Sequence, residues 1–192
     1  MTRFEQCPHS PRLPSPRIRR LGLTLAIVAA VAALVPLTAE AAHERIVTSA
    51  RLELQVAKRV NAVRRSHGLH PLRLSPALTA TARRHSRDMA RRGYFEHDSA
   101  NGAPFWARIE RHYRSEGYGR WEVGENILWT SGGATAVEVV GEWMASPPHR
   151  DNLLSGTWRE LGAGALAVPR AGGTYGGLRV TIATLDFGVR TR

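Results

Sequence analysis

Three side chains able to do chemistry stand well apart in the chain. They are His97 in Phe95-Glu96-His97-Asp98-Ser99, Glu125 in Gly124-Glu125-Asn126-Ile127, and His149 in Ser146-Pro147-Pro148-His149-Arg150. Two neutral imidazoles and a carboxylate are the donor types of an open zinc site, so His97 and His149 are candidate metal ligands with water completing the tetrahedron. No HExxH or other local metal motif accompanies them, and the pattern does not require zinc. Without metal, one imidazole oriented by Glu125 would serve as general base, with Ser99 or a water as nucleophile. No GxSxG elbow singles out a serine. A third reading makes the trio a buried polar network tying helices to a sheet, with Asn126 bonding backbone groups across the cleft.

The elements that must position these groups are legible from spacing. Leu52, Val56, Val60 and Val63 recur at helical steps after a capping Ser49, and Gly68 ends the run. Ser75-Pro76 opens a second helix that runs to Arg92 and stops at Gly93, with Leu78, Ala82 and Met89 inward. His85, between Arg84 and Ser86-Arg87, is expected on a solvated rim. A third helix is expected from Pro104 to Arg114, with Phe105, Trp106 and Ile109 apolar, the arginines outward and His112 exposed. Gly-Glu-Asn-Ile then leads into a helix from Thr135 to Ala145. On its wheel Val137, Val139, Val140, Trp143 and Met144 form a broad apolar arc opposite Glu138 and Glu142. Leu161–Val168 and Leu178–Phe187 read as an antiparallel hairpin joined by a glycine-dense turn. That turn lacks GK[ST] and a following helix, so it is no phosphate loop. Helices first and strands later give an α+β domain.

In order and spacing, Phe95 to His97, Gly124-Glu125-Asn126-Ile127, Trp143 to Arg150 and Leu161-Gly162-Ala163-Gly164 resemble the bacterial branch of the CAP superfamily. This superfamily comprises the cysteine-rich secretory, antigen 5 and pathogenesis-related type 1 proteins, also called SCP domains. The resemblance covers roughly residue 49 to the C-terminus and implies a three-layer α-β-α sandwich. It also implies a cleft of two histidines and two glutamates, in which His97, Glu125 and His149 match. The second glutamate would follow the tryptophan by three residues, where this chain has Ser146; Glu142 precedes Trp143 and is carried only as a substitute candidate. Sterol or fatty-acid binding is likewise implied by other members of the family.

Upstream lies a leader pattern. Arg17, Arg19 and Arg20 form a basic n-region, Leu21 to Leu37 is an almost uninterrupted apolar run, and Ala39-Glu40-Ala41 has the small-x-small form of a cleavage site. The expected organisation is a signal segment over 1–41 and one domain over 42–192, secreted or periplasmic. An uncleaved anchor is the alternative, since about 17 apolar residues can just span a bilayer. The one cysteine, Cys7, lies in the leader, so stability must come from the core rather than from disulfides. The net charge of +11 is carried almost wholly by arginine, Lys58 being the lone lysine. Such a charge draws a protein toward anionic envelope surfaces. Nucleic acid is not expected, because the aromatics do not interleave with arginines. The leading expectation is recognition of a small ligand, lipid or peptide in the His/Glu cleft or an adjacent groove. The alternatives are a metal-assisted peptidase or esterase using the same cleft, and a structural or signalling module.

Overall fold

A computed structural model describes residues 46–192, so the expectations for the leader, its cleavage near Ala41 and Cys7 fall outside the described residues. The elements run β1 (Val47–Thr48), α1 (Ala50–Ser66), β2 (Arg73–Leu74), α2 (Pro76–Arg92), α3 (Phe105–Glu110), β3 (Arg120–Ser131), α4 (Ala136–Ala145), α5 (Pro147–Leu154), β4 (Glu160–Ala171) and β5 (Leu178–Thr191). The sheet order is β1-β4-β5-β3, with β2 also pairing β4. The long ladders β4/β5 and β3/β5 are antiparallel. One face carries α1, α4 and α5, whose Val56, Val60, Val140, Trp143 and Leu153 pack with Leu161, Ala163, Leu185 and Phe187. The other face carries α2 and α3, through Leu78, Met89, Ile109, Ile127 and Ile182. The result is a three-layer α-β-α sandwich. Among the described residues no helix is long and apolar enough to cross a membrane.

Local chemistry starts each helix. Ser49 and Ser75 accept from the backbone N–H groups of Leu52 and Leu78, and Thr135 and Glu138 form a reciprocal capping box. Each such cap contributes about 1 kcal/mol. Gly93 closes α2 in the left-handed region at φ 70°, where a side chain would be strained.

Gly162 and Gly164 set the depth at which α2 lies on the sheet. A Cβ at Gly162 would sit 2.1 Å from the Thr79 amide nitrogen, and one at Gly164 2.3 Å from that of Arg83. The helix backbone therefore rests directly on β4, and it reaches the neighbouring β5, where Ser86 bonds Thr184 at 2.8 Å and Thr81 bonds Asp186.

Three local expectations are corrected. The helix expected over 104–114 spans only Phe105–Glu110, because Tyr113 turns inward, reaching Glu160 with its hydroxyl at 2.6 Å and lying against Gly188. Val137, placed on the apolar arc, is exposed. Trp121–Ile127 is not a mere lead-in to a helix but part of the twelve-residue β3. Its Trp121, Val123, Ile127 and Trp129 alternate toward the α2/α3 side, and Glu125 occupies the apolar slot between them, which breaks the pattern.

Candidate functional site

Glu125 is the anchor of the site. It projects from β3 into the α2/α3 layer and is 4% exposed. His97, on the loop after α2, donates from Nδ1 to its Oε1 at 2.9 Å. Arg108 of α3 donates to its Oε2 at 2.5 Å. His85 of α2 brings Nε2 to 3.9 Å from Oε1 while donating to the Glu96 carbonyl at 3.0 Å. Burial alone would push the Glu125 carboxyl up, but the Arg108 guanidinium, His85 and the His97 bond pull it down to about 2. Glu125 is therefore an anion already spent on internal partners.

Asp186 lies directly opposite Glu125 in the β3/β5 ladder. It is fully buried, accepts from Thr81 and stands 3.8 Å from Arg108 Nη1. Burial first, and the Glu125 charge second, raise its pKa well above the carboxylate range. One guanidinium thus serves two carboxyls, and of the two Asp186 is the one pushed toward its protonated form.

His149 belongs to the opposite layer. Its Nδ1 shares a 2.9 Å hydrogen bond with Ser146 Oγ, and its carbonyl accepts from Asn126 Nδ2 at 2.9 Å. Asn152 donates to Asn126 Oδ1 at 3.0 Å and to the Glu125 carbonyl at 3.2 Å, locking α5 to β3. Burial, and then the charge of His97, lower the His149 pKa. β3 is the edge strand of the sheet, so His97 arrives from one layer and His149 from the other, close enough to feel one another's charge.

The fold thus gathers His97, Glu125, Asn126, Ser146 and His149 around the middle of β3 and the start of α5. Glu142 is exposed on α4, with Glu138 used in the helix cap. Ser99 sits in a turn closed by its N–H bond to the Ala103 carbonyl at 2.9 Å. Of the tryptophans near the cleft, Trp143 is core and bonds the Ile127 carbonyl, Trp121 bonds the Tyr113 carbonyl, and Trp129 packs edge-on to Tyr175.

His85, Arg108 and Asp186 are not among the site residues expected from the sequence. His85, expected on a solvated rim, is fully buried, and Arg108, expected outward, is 8% exposed. The available signal was Asp186, a charge in the apolar run of a strand covered on both faces.

Among the described residues no group of three or more His, Cys, Asp or Glu is arranged to hold a metal ion. Both oxygens of Glu125 are engaged, one by His97 and the other by Arg108. Nor do the polar pairs form one catalytic series. The imidazole beside the carboxylate is His97, and the imidazole beside a hydroxyl is His149.

Comparison with known proteins agrees with this architecture. The chain is 37% identical to the Bacillus subtilis protein YkwD over 113 residues, covering 58% of this chain and 41% of that protein. It is 33% identical to the B. subtilis membrane protein YlbC over 114 residues, covering 58% and 31%. It therefore spans less than half the length of either relative. Among solved structures, an extracellular SCP-domain protein of Bacillus anthracis superposes with a TM-score of 0.56 at 26% identity, covering 74% of this chain and 41% of that one. An outer surface protein of Borrelia burgdorferi shares the fold with a TM-score of 0.61 at 16% identity, covering 77% and 99%. The profile of the cysteine-rich secretory protein (CAP) family matches residues 57–184, well over half of the chain, and the chain belongs to that family.

Proposed function

We propose that this chain is an exported recognition domain that binds a small carboxylate-bearing ligand, a peptide C-terminus or a fatty acid, at His97 and His149. The carrying observation is the 2.9 Å bond from His97 to a Glu125 already neutralised by Arg108. With its carboxylate buried and spent, the site offers imidazoles rather than an acid, and imidazoles recognise an anion best when protonated. Export is supported by the leader pattern and by the extracellular SCP-domain neighbour.

The test is an NMR titration of the histidine ring protons with N-acetyl-alanyl-alanine, its C-terminal amide, and octanoate, at about pH 6 and about pH 8. A free acid should shift both rings, bind several-fold tighter at the lower pH, and lose its effect in a His97→Ala, His149→Ala double variant. Equal binding of the amide, or no shift with any probe, would sink the reading and leave the cluster as a network that holds the layers together.

A hydrolase is the second reading, favoured by the oriented His97–Glu125 pair, which could activate water. Turnover of p-nitrophenyl esters that disappears in His97→Ala would establish it. The separation of Ser146–His149 from His97–Glu125 weighs against it, because acyl transfer needs hydroxyl, base and acid in series.

A further inference from the structure

A second surface lies at the far edge of the sheet from His97. There β1 and β2 pair side by side along β4, and α2 passes above them. At 100° per residue, Ala80, Arg84, Arg87 and Arg91 fall within a 60° arc of α2 and extend about 16 Å along it. The two acids nearby are already taken, Glu53 by Arg83 at 2.5 Å and Asp88 by Arg92 at 2.8 Å. Among the described residues, Arg84, Arg87 and Arg91 have no ion-pair partner, and Arg87 instead reaches the Thr48 hydroxyl of β1 at 3.0 Å.

The same edge carries apolar side chains that the core does not use. Val47 on β1, Leu54 on α1 and Leu74 on β2 are 56%, 44% and 53% exposed. Leu54 and Leu74 line a shallow hollow between α1 and α2 together with Ala80 and Arg83. Three unpaired guanidiniums beside exposed leucines match the chemistry of a bilayer interface, where phosphates take the charge and acyl chains the apolar side chains. A soluble polyanion would satisfy only the arginines. Chain length points the same way. Nine residues, Thr38 to Ile46, separate the end of the apolar run Leu21–Leu37 from β1, and they span at most about 30 Å. The chain thus enters the fold at this edge, through β1, within that length of the run.

We propose that the β1/β2 edge, with Arg84, Arg87 and Arg91 of α2 and the exposed Leu54 and Leu74, is a docking surface for an anionic phospholipid bilayer. The surface is separate from the His97/His149 cleft and acts whether or not that cleft binds a ligand.

The experiment is vesicle flotation of the unit from His43 to Arg192. This unit is compact and contains the whole sheet and every buried core residue among those described, and it lacks the apolar run. The probes are vesicles of phosphatidylcholine with and without phosphatidylglycerol, with soluble polyphosphate as competitor. Binding is expected only to the anionic vesicles. An Arg84→Gln, Arg87→Gln, Arg91→Gln variant should lose about a hundred-fold in partition, at roughly five-fold per arginine. A Leu54→Ser, Leu74→Ser variant should remove the part of the binding that survives raised salt. All these sites are exposed or half-buried, and unchanged thermal melting confirms that the variants fold. Absence of binding, or binding indifferent to the arginines, overturns the proposal. Binding that needs the arginines, ignores the leucines and is fully competed by polyphosphate also overturns it, assigning the face to a soluble polyanion.

Discussion

Glu125 and Asp186 face each other across the β3/β5 ladder, both buried, with the Arg108 guanidinium reaching each of them. Two carboxylates against one cation would leave a buried negative charge, and burial together with the Glu125 charge raises the Asp186 pKa, which favours its protonated form. Above its ordinary value of 3.8, Asp186 ionises in the unfolded chain while the fold retains the proton. Asp186 therefore takes stability away as pH rises from that value toward its raised folded pKa. Asp186→Asn keeps the shape and a hydrogen-bond donor without this penalty. It should be at least as stable as the parent at neutral pH and relatively less favourable near pH 3, as measured by urea unfolding at both pH values. A large loss at neutral pH would mean that Asp186 is charged.

Glu125 has the opposite sign. Its folded pKa of about 2 lies below its ordinary 4.5, so its contribution is present above 4.5 and drains away as pH falls toward 2. Arg108→Met strips the carboxylate of its cation and should cost about 3–5 kcal/mol at neutral pH, as expected for half of a buried pair. Glu125→Gln should flatten the acid limb of the stability curve. If Arg108→Met unfolds no more easily than the parent, the guanidinium is not what holds Glu125 charged.

The sequence made the helices legible because each has its own punctuation, serine caps before α1 and α2 and Gly93 after α2. The hairpin was legible from two apolar runs, the second rich in β-branched residues, joined by a glycine-dense turn. β3 was hidden because Glu125 interrupts its alternation, and the same residue anchors the buried polar cluster. Arg108 and His85 look like surface residues by type and by charged neighbours. Only the approach of α2 and α3 to β3 gives them a carboxylate, and no local pattern encodes that approach. Glu142 of α4, carried as a substitute for the second glutamate, is exposed, whereas the second buried acid is Asp186 of β5.

His149 reports on His97. Burial and the His97 charge hold His149 below its ordinary 6.5, so the unfolded chain takes up the proton first and the fold loses stability as pH drops below 6.5. Burial of His85 works in the same direction. Replacing His97 with Gln removes the neighbouring charge and should raise the His149 pKa toward its ordinary value, as read from its ring-proton titration. An unchanged His149 curve would mean that the two imidazoles do not communicate, and the shared anion site would fall with it.

The closest test of how the fold builds this site is a single methyl group. Gly162 pairs with Asp186, and Asp186 with Glu125, so α2 must lie flat on this row of the sheet to bring His85 and Thr81 to the carboxyls. In Gly162→Ala the new Cβ would start 2.1 Å from the Thr79 nitrogen, and backbone rather than a side-chain tip would have to yield. The helix should lift, at a cost of about 3 kcal/mol or more, and the Thr81–Asp186 and His85–Glu125 contacts should loosen together. Denaturant unfolding measures the first effect and amide exchange along α2 the second. Because His97 and Arg108 reach Glu125 from outside α2, their contacts should survive. A variant that loses stability while keeping the His149 titration would show that α2 supports the charged centre without setting its outward chemistry.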